Sequence, residues 1–173
     1  MSEHDRNRFY EIRNAFLEDV AAASALVAAD RTLLDVRSGI GETPLHWLVV
    51  EDVIPAVREL IRLGAEVDCT NEFGATALME AAQLGYVEMC GLLLAHGASP
   101  RYISPRGESP LCHAARSRQL ETLQVLLTRF ADSEDLRPYF DDLALEMIFD
   151  TTDAVTDLLR SRGLAPTPKE PYD

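Results

Sequence analysis

Few residues in this chain combine the type and spacing that chemistry needs. Cys112 and His113 stand side by side. Neighbours on a helix point about 100° apart, a poor disposition for a nucleophile and its base. His4 and His96 are isolated. Glu51-Asp52 and Asp141-Asp142 are adjacent acids, which on a surface are ordinarily just solvated. No HExxH, phosphate-cradling glycine loop or GxSxG occurs. Cys69, Cys90 and Cys112 are odd in number and contain no CxxC, so neither a disulfide framework nor a cysteine zinc site is expected. Reduced, partly buried thiols are expected instead. These residues predict a non-enzymatic chain with no catalytic residue, cofactor or metal.

The elements that would carry these residues recur. "GETPLHWLVV" at 41 returns as "GATALMEAAQ" at 74 and "GESPLCHAAR" at 107. Thr43, Thr76 and Ser109 are 33 residues apart, as are Gly41, Gly74 and Gly107. The same step links Gly64 to Gly97, and one more step past Phe130 reaches Gly163. Extended outward, the period gives two apolar columns: Val27, Leu60, Leu93, Leu126, Leu159, and Ile12, Leu45, Leu78, Leu111, Ala144. It places Tyr10 one period before Thr43 and Asp142 one period after Ser109. Five units fit without an insertion, and a fixed period of this length is the mark of a stacked array.

Each unit reads as two short helices. Thr or Ser caps the first by accepting an orphan N–H bond, and Pro44 or Pro110 opens it where no N–H is missed. Gly85 and Gly97 supply the left-handed residue that ends a helix. Ala81-Ala82 and Ala114-Ala115 allow close helix approach. The fold class predicted is all-α, a solenoid of antiparallel helix pairs.

With "G-x-T-P-L-H" opening the pairs and "L-L-x-x-G-A" closing them, the chain resembles the ankyrin repeat proteins. The resemblance is close over 38–130 and looser on either side. It implies an N-terminal capping unit at 5–37, repeats at 38–70, 71–103 and 104–136, and a C-terminal capping unit at 137–164. Residues 165–173, "APTPKEPYD", read as a disordered tail. The resemblance also implies hairpin-like tips, a concave face of tips and first helices that binds a protein, and a structural hydrogen bond from His46 to its turn.

Departures from the pattern carry expectations of their own. Asp52 and Arg118 replace the glycine between helices, and the Arg118 turn is expected to be strained or reshaped. Phe130 replaces a closing glycine, so the link from 130 to 142 is expected to leave hairpin geometry. Trp47-Leu48 is expected to replace the usual small pair and to widen packing in its unit.

The register also nominates a surface. Tip residues are Ile40, Phe73, Arg106 and Tyr139. The outward-facing first-helix positions that the resemblance implies fall on Trp47, Glu80, His113 and Glu146, followed by Val50, Gln83, Arg116 and Phe149, then Glu51 and Leu84. These suggest an aromatic strip (Ile40, Trp47, Phe73, Tyr139) edged by Glu42, Glu51, Glu80, Glu108, Asp141 and Glu146. Aromatic anchors within a charged rim suit a protein interface. The net charge of −13 disfavours phosphate backbones and anionic membranes and favours a partner with a basic patch.

No apolar run spans a bilayer and the N-terminus lacks a secretory signal, so a cytoplasmic chain is expected; its oligomeric state is left open, with a monomer favoured. The function expected is protein binding, as an adaptor or as an inhibitor or immunity protein. The alternative is an acidic nucleic-acid mimic or a steering protein acting through its C-terminal cap.

Overall fold

The computed structural model describes residues 3–131, 134–150 and 154–165. The tail expected beyond position 165 lies outside them. Among these residues ten α-helices follow in chain order: α1 (Glu3–Glu18), α2 (Val20–Ala29), α3 (Pro44–Val50), α4 (Ile54–Arg62), α5 (Ala77–Leu84), α6 (Val87–Ala95), α7 (Pro110–Arg116), α8 (Leu120–Leu127), α9 (Asp142–Phe149) and α10 (Ala154–Ser161). Helix α1 packs on α3, α3 on α5, α5 on α7 and α7 on α9, forming one row. The second helices form another, α2 against α4, α6 against α8, and α8 against α10. Among the described residues no strand forms, and Thr70 and Thr76 make a single antiparallel bridge. The all-α solenoid is therefore what the chain builds.

The core follows the two columns. None of Val27, Leu60, Leu93, Leu126, Leu159, Ile12, Leu45, Leu78, Leu111 and Ala144 is more than 1% exposed. Each unit buries its stripe against the next, because a lone helix pair has too little surface to do so. The columns of Ala81 and Ala82 meet Leu48 and Val49 in the preceding unit, both fully buried. This corrects the assignment of the bulky pair to Trp47-Leu48: the replacement falls one residue later, and Trp47 lies outside the helix–helix seam.

Helix starts obey local chemistry. Thr76 Oγ1 accepts from the Met79 N–H (3.4 Å) and Ser109 Oγ from the Cys112 N–H (3.1 Å). In the last unit the cap is Asp141, which accepts from the Ala144 N–H at 2.7 Å. It stands one residue before the position that the period marks at Asp142, while the core column through Ala144 is kept. Between the helices, Asp52 and Arg118 take φ of 55° each, beside 77° at Gly85. Val53 donates to the Leu48 carbonyl, Tyr86 to Ala81 and Gln119 to Ala114, so all three turns close alike. Arg118 is therefore held left-handed and the turn is not reshaped.

Three tips share one further device. Ser38, Asn71 and Ser104 stand 33 apart, and each backbone N–H bonds the carbonyl four residues on. Their side chains each accept two backbone N–H bonds within the turn: Ser38 from Ile40 and Glu42, Asn71 from Phe73 and Ala75, Ser104 from Arg106 and Glu108. One period on stands Arg137, which has no short acceptor. There the chain forms a 3-10 turn over Arg137–Tyr139 instead of a tip. The departure expected between 130 and 142 is thus present, and its cause includes Arg137 as well as Phe130.

Candidate interaction surface

The tips hold their apolar residues out. Ile40 is 43% exposed and Phe73 45%. The Glu72 N–H donates to the Ile40 carbonyl (3.1 Å), which ties the two tips together. The next tip cannot continue that ladder, because Pro105 has no N–H. It packs its ring against Gly74 instead: a Cβ on Gly74 would lie 2.9 Å from Pro105 Cδ. The Arg106 guanidinium covers the Phe73 ring at 5.1 Å. Ile40, Phe73 and Arg106 form one group on rigid turns.

Trp47 belongs to a second group. It is half-buried, with the Arg13 guanidinium 4.0 Å above its ring. Arg13 also lies 5.0 Å from the exposed Tyr10 ring. The N-terminal unit therefore extends this group by Tyr10 and Arg13. Sequence inspection missed both, since their helix has no repeat motif to place them.

Tyr139, nominated as a tip, falls in a third place. It is half-buried with its ring edge-on to Phe130, 5.0 Å away. Phe130 also carries the Arg101 guanidinium at 4.6 Å. Arg101 grips Glu134 through two bonds (2.9 and 2.7 Å) and donates to the Arg129 carbonyl. The Arg101 hydrogen bonds hold the Glu134 carboxyl below its usual range. Tyr139 thus seals the C-terminal cap and does not continue the row of exposed tips. The nominated strip divides into separate groups.

The acids also divide. Glu108 pairs with Arg116 at 2.8 Å, and Arg116 reaches Asp141 as well. Arg118 pairs with Asp150 at 2.9 Å. Burial, and then the nearby Glu42 carboxylate, pushes the Glu80 carboxyl up. Glu42 accepts from Ser38 Oγ at 3.0 Å. Glu51 and Leu84 are exposed, and the half-buried Val50 accepts the Tyr86 hydroxyl at 3.3 Å. His113 is half-buried with Nδ1 3.0 Å from Gln83 Oε1.

His46 acts within the scaffold. Its Nε2 lies 3.1 Å from the Ala75 carbonyl, which only accepts, so Nε2 carries the proton. Nδ1 then accepts from the Thr43 N–H (3.3 Å) and faces its hydroxyl (3.0 Å). Burial lowers His46 to about 4. Cys69 Sγ sits 3.8 Å from Nδ1, yet burial pushes that thiol up. A reactive thiolate needs the opposite shift and access to solvent. Cys112, expected to be a poor partner for His113, is fully buried, and burial raises its thiol too. Among the described residues no cluster of ligating side chains could hold a metal.

Comparison with known proteins agrees with this architecture. The family model described as ankyrin repeats (3 copies) matches over residues 15–104 and 45–136. The chain belongs to the ankyrin repeat family. Inversin from Gallus gallus is 30% identical over 116 residues, covering 67% of this chain and 10% of that protein. Ankyrin repeat domain-containing protein 63 from Homo sapiens is 33% identical over 113 residues, covering 63% and 30%. The nuclear factor NF-kappa-B p105 subunit of Rattus norvegicus is 29% identical over 103 residues, covering 58% and 11%. The chain thus spans less than a third of each of these relatives. Ankyrin repeats are in general protein-interaction modules, and no described helix is long and apolar enough to cross a membrane.

Proposed function

We propose that this chain is a non-enzymatic binding module that presents its concave face, made of tips and first helices, to a protein partner with a basic patch. The observation that carries this is the tip row. Ile40 and Phe73 stay exposed on turns fixed by Ser38 and Asn71, in the same two units as Glu42 and Glu80, whose carboxylates repel each other. Preformed turns reduce the entropy lost on binding. A cation near Glu80 and Glu42 would relieve their mutual repulsion. The finer role proposed is that of a cytoplasmic adaptor, or of an inhibitor that masks its partner.

The nucleic-acid mimic is the weaker reading, because several cap acids are already matched. Asp141 meets Arg116, Glu134 meets Arg101 and Asp142 meets Arg137.

A pull-down from native lysate should recover one basic protein, and Trp47→Ala with Phe73→Ala should release it while the circular dichroism spectrum stays unchanged. Undiminished capture by that double variant overturns the docking face.

A further inference from the structure

On the same side as the tips, a pocket of about 200 Å³ is lined by Gln83, Glu108, His113, Arg116 and Ser117. Gln83 lies in the last turn of α5, and His113 and Arg116 lie on α7. Gln83 Oε1 only accepts and burial lowers His113, so the neutral ring donates from Nδ1 and keeps a lone pair on Nε2. That Nε2 is buried and has no hydrogen-bond partner in the protein. The atom nearest in kind is Glu108 Oε2 at 3.8 Å, which can also only accept. Two acceptors facing each other across that gap call for a shared donor, since a buried acceptor without one is costly.

Charge selects the kind of donor. Arg116 binds Glu108 Oε1 at 2.8 Å and also pairs with Asp141. One guanidinium thus faces two carboxylates, which leaves one negative charge uncompensated. An anion would add to that excess and a cation would cancel it. Geometry narrows the choice further. A guanidinium presents parallel N–H bonds matched to the close oxygens of one carboxylate. An ammonium spreads its three N–H bonds tetrahedrally and can reach two acceptors set further apart. Lys169 is the only lysine in the chain, so another molecule is the natural source.

We propose that this pocket is a socket for a primary ammonium, supplied as a lysine side chain of the partner, which donates to Glu108 Oε2 and, once the His113 ring shifts to uncover it, to His113 Nε2. The proposal deepens the docking reading above and rests on it for the identity of the donor as a protein.

The test uses nitrogen-15-labelled full chain and Nα-acetyl-lysine amide as probe, followed at the His113 ring nitrogens by NMR. Saturable movement of the Nε2 resonance is expected, with no movement from the probe acetylated at Nε. Glu108→Gln should weaken the response at least tenfold, and His113→Leu should weaken amide shifts around the pocket equally. Equal shifts from both probes overturn the socket. So does silence up to ~100 mM, where a charge-assisted contact should register. A stronger response to Nα-acetyl-arginine amide overturns its preference for ammonium.

Partner capture separates the two readings. Loss in the Trp47/Phe73 double variant with full retention in Glu108→Gln removes the socket and keeps the docking face. The reverse pattern keeps the socket and removes the strip.

Discussion

At the scale of single residues, two positions make opposite demands on the backbone. Arg118 holds a φ of 55°, a conformation that costs a residue with a Cβ about 1–2 kcal/mol. Its compensation is an ion pair with Asp150, in which both side chains are largely exposed and the gain is small. Arg118→Gly should therefore raise stability by about 1 kcal/mol, seen as a higher urea midpoint at unchanged slope. An unchanged or lower midpoint would mean that the side chain contributes more than its ion pair. His46 makes its demand through protonation. Its Nδ1 must stay bare to accept from Thr43, and burial lowers it from 6.5 to about 4. The unfolded chain then takes up a proton before the folded one does. Stability is complete above pH 6.5 and falls progressively as the pH drops to about 4, by on the order of 3 kcal/mol at the low end. Urea midpoints measured across this window should show that slope in the natural chain. In His46→Gln the slope should flatten around a lower starting value.

At the scale of the element, the turn is the unit that matters. Asn71 Oδ1 accepts from both Phe73 and Ala75, so Asn71→Ala leaves two donors of the tip without that acceptor. The expected cost is about 1–2 kcal/mol, with faster amide exchange confined to the tip of that unit. Asn71→Ser should restore most of the loss, because Ser38 and Ser104 already perform the role in the neighbouring units. This device was legible, as the three residues share the period of the glycines. It went unread because Ser and Asn look like ordinary loop residues unless aligned. The helix pairs, the caps at Thr76 and Ser109 and both apolar columns were readable, since each follows from local hydrogen bonding or from a stripe repeated in phase, whereas the cap at Asp141 stands one residue ahead of the period. The surface was readable only in part. Ile40 and Phe73 project because their turns fix them. Trp47 and Tyr139 are claimed by Arg13 and Phe130, long side chains whose directions packing decides. No spacing rule reports that choice.

For the whole molecule, the two columns make stability a property of position along the stack. Each unit touches only its neighbours, so a central unit is supported on both sides and an end unit on one. Leu93 and Leu159 occupy the same column and are both fully buried. Leucine to alanine at a buried site costs about 2–5 kcal/mol, according to how far the surroundings collapse. Leu93→Ala breaks the seam between two neighbours, so its cost should appear in the single global transition and lower the exchange protection of α3 and α7 together. Leu159→Ala weakens a unit with no successor among the described residues. The cap can relax or open by itself, so its global cost should be smaller and its lost protection should be concentrated in α9 and α10. Trp47, the only tryptophan, reports unfolding of the N-terminal half by fluorescence, while circular dichroism reports all helices. In Leu93→Ala the two signals should still coincide. In Leu159→Ala the dichroism should begin to fall before the fluorescence does. Coincident signals and uniform loss of protection in both variants would show that the five units melt as one block and that stacking order has no energetic meaning here.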